Sequence, residues 1–164
     1  MIWHNQASLK VSVFAWRLLR DRLPTRFNLA HRGIILLEVS LCVSDCGSLE
    51  TAQHLFLSCF AFSSLWPLVG VDSNVLSDHF FLFVYSTGGG KATRSFLQLI
   101  WLLCVWVLWN ERNNMLFNNV VTPMSKLSDK VKYMSLAWMK AKNITFRFDT
   151  DTWCSSPFQC LGIT

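Results

Sequence analysis

The tightest constraint in this chain is a set of four soft donors, Cys42, Cys46, His54 and Cys59, spaced C-x3-C-x7-H-x4-C. Zinc takes four such donors at tetrahedral corners, with Zn–S of about 2.3 Å. A short loop between two thiolates supplies two of the corners, and Gly47 lets the backbone turn tightly after the second. Three Cys and one His fill the coordination sphere and leave no position for water, so a site of this kind is structural. One structural Zn2+ is therefore the expected cofactor. His54 and Cys59 stand five apart on a helical pattern, about 500° of rotation on an ideal helix. A distortion or helix break is expected between them. The spacing also fits three ordinary buried thiols beside a surface histidine, because C-x3-C is a looser signal than C-x2-C.

The other three cysteines stay outside this set. Cys104 lies within an apolar run and reads as a small buried hydrophobe, while Cys154 and Cys160 sit in the tail without a nearby His. The N-terminus lacks the pattern of a secretory signal, so thiols and metal are expected rather than disulfides. An intracellular chain, nuclear or cytoplasmic and not secreted, is the matching expectation. In it the sequon Asn143-Ile144-Thr145 has no role.

The hydrophobic periodicity is mainly α-helical. Val11, Phe14, Ala15, Leu18 and Leu19 follow the stripe of an amphipathic helix, with Lys10, Arg17 and Arg20 off it. Pro24 ends that pattern; Thr25 can cap a short helix through Leu29 and Ala30 that stops at Gly33. Ile34 to Val39 is apolar and partly β-branched and reads as a short strand entering the metal loop. Leu55, Phe56, Cys59 and Phe60 share a helical face, and Pro67 and Gly70 interrupt the apolar surface that follows. Gly88-Gly89-Gly90 reads as a flexible break. Beyond it come a long apolar helix and a second one, opened by Thr122-Pro123 as N-cap and first helical residue and striped by Leu127, Val131, Met134 and Trp138. Ile144, Phe146 and Phe148 alternate as in a strand. The expected organisation is a zinc-stabilised helical domain over 1–75 with a Cys/His metal loop. A linker region over 76–95 follows, then a two-helix extension with a short strand-like tail over 96–164.

A mean hydropathy of +0.32 raises the question of a membrane. The apolar run Phe96 to Trp109 falls short of the roughly 20 residues that span a bilayer, and Asn110, Glu111, Arg112, Asn113 and Asn114 flank it. It reads as a core helix, with an anchor over 96–116 as the lesser alternative. The net charge of +5 is unevenly placed: residues 1–32 hold six Lys/Arg and one acid, and 33–90 hold five acids and no Lys/Arg. Residues 91–164 hold nine Lys/Arg and four acids. Basic ends of this kind suit a polyanion, and Lys10, Arg17, Arg20, Arg26 and Arg32 are the candidate nucleic-acid contacts. Solvated faces of amphipathic helices would look the same.

Several words of the sequence resemble a known family. Phe14-Ala15-Trp16-Arg17-Leu18-Leu19, Arg22-Leu23-Pro24-Thr25, Asn28-Leu29 and Arg32-Gly33 look like the plant reverse transcriptase zinc-binding domain, which lies C-terminal to the polymerase of LINE-type (non-LTR) retroelements. The resemblance continues through Cys42, Cys46-Gly47, Glu50-Thr51, His54-Leu55-Phe56, Cys59 and Leu65-Trp66. Trp106, Trp109-Asn110, Arg112-Asn113 and Phe117 resemble the W-x-x-W-x-x-R-N-x-x-x-F segment that follows in such proteins. Many members read C-P-x-C-G at the first ligand pair, so this chain carries one extra residue there and lacks the proline.

No enzyme motif accompanies the metal set. The Y-x-D-D word of a polymerase, which would hold the two metals of nucleotide addition, does not occur. Gly88-Gly89-Gly90-Lys91 fails as a phosphate loop, since Tyr85 stands at the first glycine position and Ala92 replaces the Ser/Thr that would hold magnesium. The resemblance thus implies a non-catalytic zinc-binding module of a retroelement protein, with RNA or DNA as the partner. The alternative is a structural fragment that only docks to other segments of a polyprotein, since surfaces rich in Trp and Phe often expect a partner.

Overall fold

A computed structural model describes residues 2–66, 73, 75–85, 88–142 and 149–160. The described elements are α1 (Leu9–Leu19), α2 (Arg26–His31), α3 (Leu76–Tyr85), α4 (Lys91–Asn118), α5 (Met124–Lys142), α6 (Thr150–Ser155) and α7 (Pro157–Cys160). Short 3-10 turns at Leu37–Val39 and Ser63–Leu65 and a π-turn at His54–Ser58 complete them. The protein is a mainly helical domain, and there is no β-strand among the described residues, only an isolated bridge between Leu41 and Leu49.

The axis of the fold is α4, against which α1, α3 and α5 all pack. From Phe96 to Val105 Gln98 is the one polar side chain, so the run is buried nearly all round, and neighbours on several sides are the consequence. Phe14 of α1 meets Trp106 edge-on at 5.4 Å and Trp109 at 5.8 Å between ring centroids. Phe80 of α3 meets Trp101 at 4.8 Å, and Trp153 of α6 meets Phe96 at 5.4 Å. Among the described residues α4 is the one helix long and apolar enough to cross a membrane, and 67% of its apolar window is buried inside the fold. The neighbours that a bilayer would otherwise replace are parts of this same chain.

The stripe of α1 buries Val11, Phe14, Ala15 and Leu18, and that of α5 buries Leu127 and Val131, with Leu136 and Met139 in the following turns. Thr25 caps α2, its hydroxyl accepting from the Asn28 amide at 3.2 Å, and Gly33 follows the helix with φ +70°. Helix α5 begins at Met124, one residue beyond the start expected from Thr122-Pro123.

The structure differs from the local sequence reading at Ile34 to Val39, and it adds helices elsewhere. Ile34 to Val39 forms no strand; it closes in the 3-10 turn with Ile34, Leu36, Leu37 and Val39 largely exposed, because no neighbouring segment among the described residues offers a ladder. The stretch 76–95, expected as a linker, carries α3 and the first turn of α4, and only 88–90 of its described residues lie outside helix. One buried cluster runs from Ile2 to Trp153 across the expected divisions. In the tail, residues 150–160 form α6 and α7: Asp149 caps α6 by accepting from the Thr152 amide at 2.7 Å, and Trp153 is fully buried. The alternation at Ile144, Phe146 and Phe148, and the breaks at Pro67 and Gly70, lie outside the described residues.

Candidate metal centre

Two segments supply the four donors. The first is a small knuckle closed by paired backbone bonds, Cys42 amide to Ser48 carbonyl at 2.8 Å and Glu50 amide to Ser40 carbonyl at 2.9 Å. Inside it the chain reverses through two left-handed residues, Asp45 at φ +55° and Gly47 at φ +80°. Asp and Gly are residues that tolerate this conformation, and the pair of left-handed steps takes up the additional loop residue.

The second segment is a helical turn capped by Thr51, whose hydroxyl accepts from the His54 amide at 3.0 Å. It then widens. The Cys59 amide donates to the His54 carbonyl at 2.8 Å, a five-residue ring in place of the usual four. A residue five positions on therefore returns toward the face of His54, and Cys59 leaves the turn in extended conformation. Widening shifts the carbonyls off their usual partners, and the Phe56 carbonyl is taken by the Trp66 indole N–H at 2.6 Å.

The donor atoms of Cys42, Cys46, His54 and Cys59 all lie within 4.8 Å of one another. Cys42 and Cys59 are buried, Cys46 and His54 half-buried. The two buried sulfurs are 3.9 Å apart, against about 3.8 Å for two thiolates at tetrahedral corners around zinc. Cys46 Sγ and His54 Nε2 are closer, 3.0 Å. That is a hydrogen-bond separation, and a zinc ion between them would open the pair by about half an ångström. The donor set fits Zn2+: three soft sulfurs and one imidazole, with Nε2 facing the thiols. All six cysteines are free of disulfides.

The metal-free electrostatics follow from the sharing of protons. Cys59 is lowered to about 7, first by the hydrogen bond from Cys42 and further by Ser44, against the effect of burial. Cys42, which keeps the shared proton, is pushed up to about 12 by that bond and by burial. A metal ion would displace this proton and favour all three thiolates.

Two features escaped the sequence reading. Ser44 sits inside the knuckle with its hydroxyl 3.3 Å from Cys42 Sγ and 3.1 Å from Cys59 Sγ, in reach of both buried sulfurs. Glu50, fully buried, accepts from the Val43 amide at 3.2 Å and the Arg26 amide at 2.9 Å, and pairs with Arg112 of α4. Glu50 and Arg112 are among the words of the family resemblance, but nothing in their 62-residue separation showed that they meet.

Residues 1–66 match the family model described as zinc-binding in reverse transcriptase. This segment is a reverse transcriptase zinc-binding domain. The match to the zinc-binding domain covers all four clustered donors and ends at Trp66, the residue whose indole closes the π-turn. Neither a curated protein nor a solved structure matches the chain.

The five basic residues singled out from the sequence are placed around the zinc-binding domain's helices. Lys10, Arg17 and Arg20 lie exposed on or at the end of α1, with Lys10 over the Trp106 ring at 5.1 Å and Arg20 over Trp16 at 5.6 Å. Arg32 is exposed at the end of α2. Arg26 is engaged internally, donating from Nη1 to the Leu41 carbonyl at 3.0 Å beside the knuckle.

Proposed function

We propose that this chain is a non-catalytic, zinc-stabilised module of a retroelement reverse transcriptase protein, of the plant LINE-type (non-LTR) kind. In it, zinc shapes a helical surface that holds element RNA or target DNA near the polymerase. The observation that carries the reading is the meeting of four soft donors inside the matched segment, next to a helix, α1, with no acid in it. Lys10, Arg17, Arg20 and Arg32 supply phosphate contacts, and Arg26 supports the knuckle. Binding of this sort releases counterions and weakens steeply with salt. We place the protein inside the cell, nuclear or cytoplasmic, where thiols stay reduced.

The test is a titration of RNA and of single-stranded DNA at about 50 and 200 mM salt, with Arg17→Ala and Arg20→Ala combined. The expected result is salt-dependent binding that the double substitution weakens. Equal binding by both proteins at both salts removes the nucleic-acid role and leaves the zinc-binding one.

A second reading is favoured by the solvent-facing apolar side chains at and before the 3-10 turn, Ile34 at 63%, Leu36 at 74% and Leu37 at 67% exposed. In that case the chain is a structural fragment that docks to other segments of a polyprotein. A monodisperse monomer on gel filtration contradicts it. An anchor over 96–116 is tested by partitioning without detergent.

A further inference from the structure

A cleft lies away from the metal donors, between the N-terminal segment, the end of α3 and the start of α4. It encloses about 800 Å3, within the range of small-molecule sites, roughly 300–1,000 Å3. Trp3 and Tyr85, 48% and 46% exposed, contribute aromatic faces. Lys91 and Arg94 contribute cations, and no Asp or Glu is among the described lining residues. Arg94 lies over the Tyr85 ring, 5.7 Å from its centroid, so a flat cation and a flat ring are already presented together.

The rim is braced rather than loose. His4 Nδ1 accepts from the Gln6 amide at 3.2 Å, which leaves the ring proton on Nε2, and Nε2 then donates to Ser95 Oγ at 2.8 Å. The Trp3 carbonyl accepts from the Gln98 side chain at 3.4 Å. These bonds cross from the N-terminal segment to α4 and set the Trp3 backbone against the helix that carries both cations.

Exposed rings beside cations, with no acid among the described lining residues, match a ligand that carries a flat heterocycle and an anion. We propose that this cleft binds a nucleotide unit, with the base on Trp3 or Tyr85 and the phosphate on Lys91 and Arg94. The unit comes from a single-stranded nucleic acid or from a free nucleotide. The inference deepens the nucleic-acid reading but stands on different residues from the α1 arginines.

The experiment follows tryptophan fluorescence and isothermal titration of zinc-loaded full chain with three probes: inorganic phosphate, adenosine monophosphate and a short single-stranded oligoadenylate. The proteins compared are the wild type, Lys91→Ala with Arg94→Ala, Trp3→Ala, and Arg17→Ala with Arg20→Ala, each checked for zinc content and helical signal. The expected result is binding of the oligoadenylate that falls about tenfold in the Lys91/Arg94 variant at low salt and several-fold in Trp3→Ala. Binding of the monophosphate with the same pattern assigns the free nucleotide as a source, and binding of the oligoadenylate alone assigns the strand. Unchanged binding in both cleft variants overturns the proposal, even where the Arg17/Arg20 variant is impaired. Competition by phosphate alone with no effect of Trp3→Ala also overturns it, since that is an anion surface without base recognition. Loss in the cleft variants with none in the Arg17/Arg20 variant upholds the cleft and removes the α1 surface.

Discussion

Arg112 of α4 and Glu50 at the exit of the zinc knuckle form a buried ion pair, Nη2 to Oε1 at 2.5 Å, with side chains 3% and 0% exposed. The guanidinium Nε also donates to Oε1 at 3.1 Å. The same carboxylate accepts from the amides of Val43 in the knuckle and Arg26 at the start of α2. One buried charge thus ties the metal loop, the short helix and the core helix together.

Removing one partner of this pair is expected to be costly. Arg112→Met leaves an uncompensated buried carboxylate and is expected to destabilise the fold by about 3–5 kcal/mol. Glu50→Gln combined with Arg112→Met is expected to recover part of that loss, since no charge remains buried. Urea unfolding of the zinc-loaded proteins reads both values. A loss below about 1 kcal/mol in the single variant would show the pair to be energetically idle. Faster zinc release to a chelator in Arg112→Met would connect it to the knuckle.

Metal content is the plainest prediction. Purified protein is expected to hold one zinc per chain, absent from Cys42→Ala and Cys59→Ala and retained in Cys104→Ala, whose thiol lies in the α4 core. Structural zinc contributes on the order of 10 kcal/mol of apparent binding energy in small peptides. Chelation should therefore lower the melting temperature sharply and reduce the helical signal of the domain. Full retention of folding in strong chelator contradicts the assignment.

Thiol reactivity separates the six cysteines. With zinc bound, Cys42, Cys46 and Cys59 are engaged, and Cys104 is buried with its thiol pushed up to about 12 by burial. Cys154 and Cys160, both half-buried in the tail helices, remain to react. A thiol-specific dye at neutral pH should label these two quickly, the metal-site three on chelation, and Cys104 only on unfolding. Rapid labelling of five thiols in the zinc-loaded protein would be incompatible with the site.

His79 makes stability depend on pH. Its ring is buried between Trp66 and Phe83 and accepts from the Trp101 indole N–H through Nδ1 at 3.1 Å, while burial lowers its pKa from 6.5 to about 4. The folded state keeps the ring neutral, whereas the unfolded chain takes up a proton below 6.5. Stability is complete above that value and falls as pH drops toward 4, by up to about 3 kcal/mol. Zinc release in acid adds to the loss. The test is therefore the difference between wild type and His79→Phe, measured by urea unfolding at pH 7.5 and 5. That difference should shrink at the lower pH; an equal difference at both would exclude His79 as the titrating group.

Local rules account for what could be read from the residues. The stripe of α1, the Thr25 cap and Gly33 stop of α2, and the apolar run of α4 depend on neighbours within a few positions, so spacing was enough to place them. The four donors were named by type and interval, and the mismatch of five residues between His54 and Cys59 already required a distorted turn. That distortion is the π-turn. What spacing could not supply was closure over distance. Ile34 to Val39 has the composition of a strand, yet a strand needs a partner edge, and none stands beside it among the described residues. The helical α6 rests on the burial of Trp153 against α5 and Phe96, and the Trp153 indole N–H donates to Ser135 Oγ at 3.1 Å. The Glu50–Arg112 pair and the Trp3–Lys91 cleft each join segments more than 60 residues apart. Short-range patterns placed α1, α2, α4 and α5 and named the candidate donors. Only the packing around α4 decided which distant charges and rings meet, because burial acts on surfaces that sequence distance does not order.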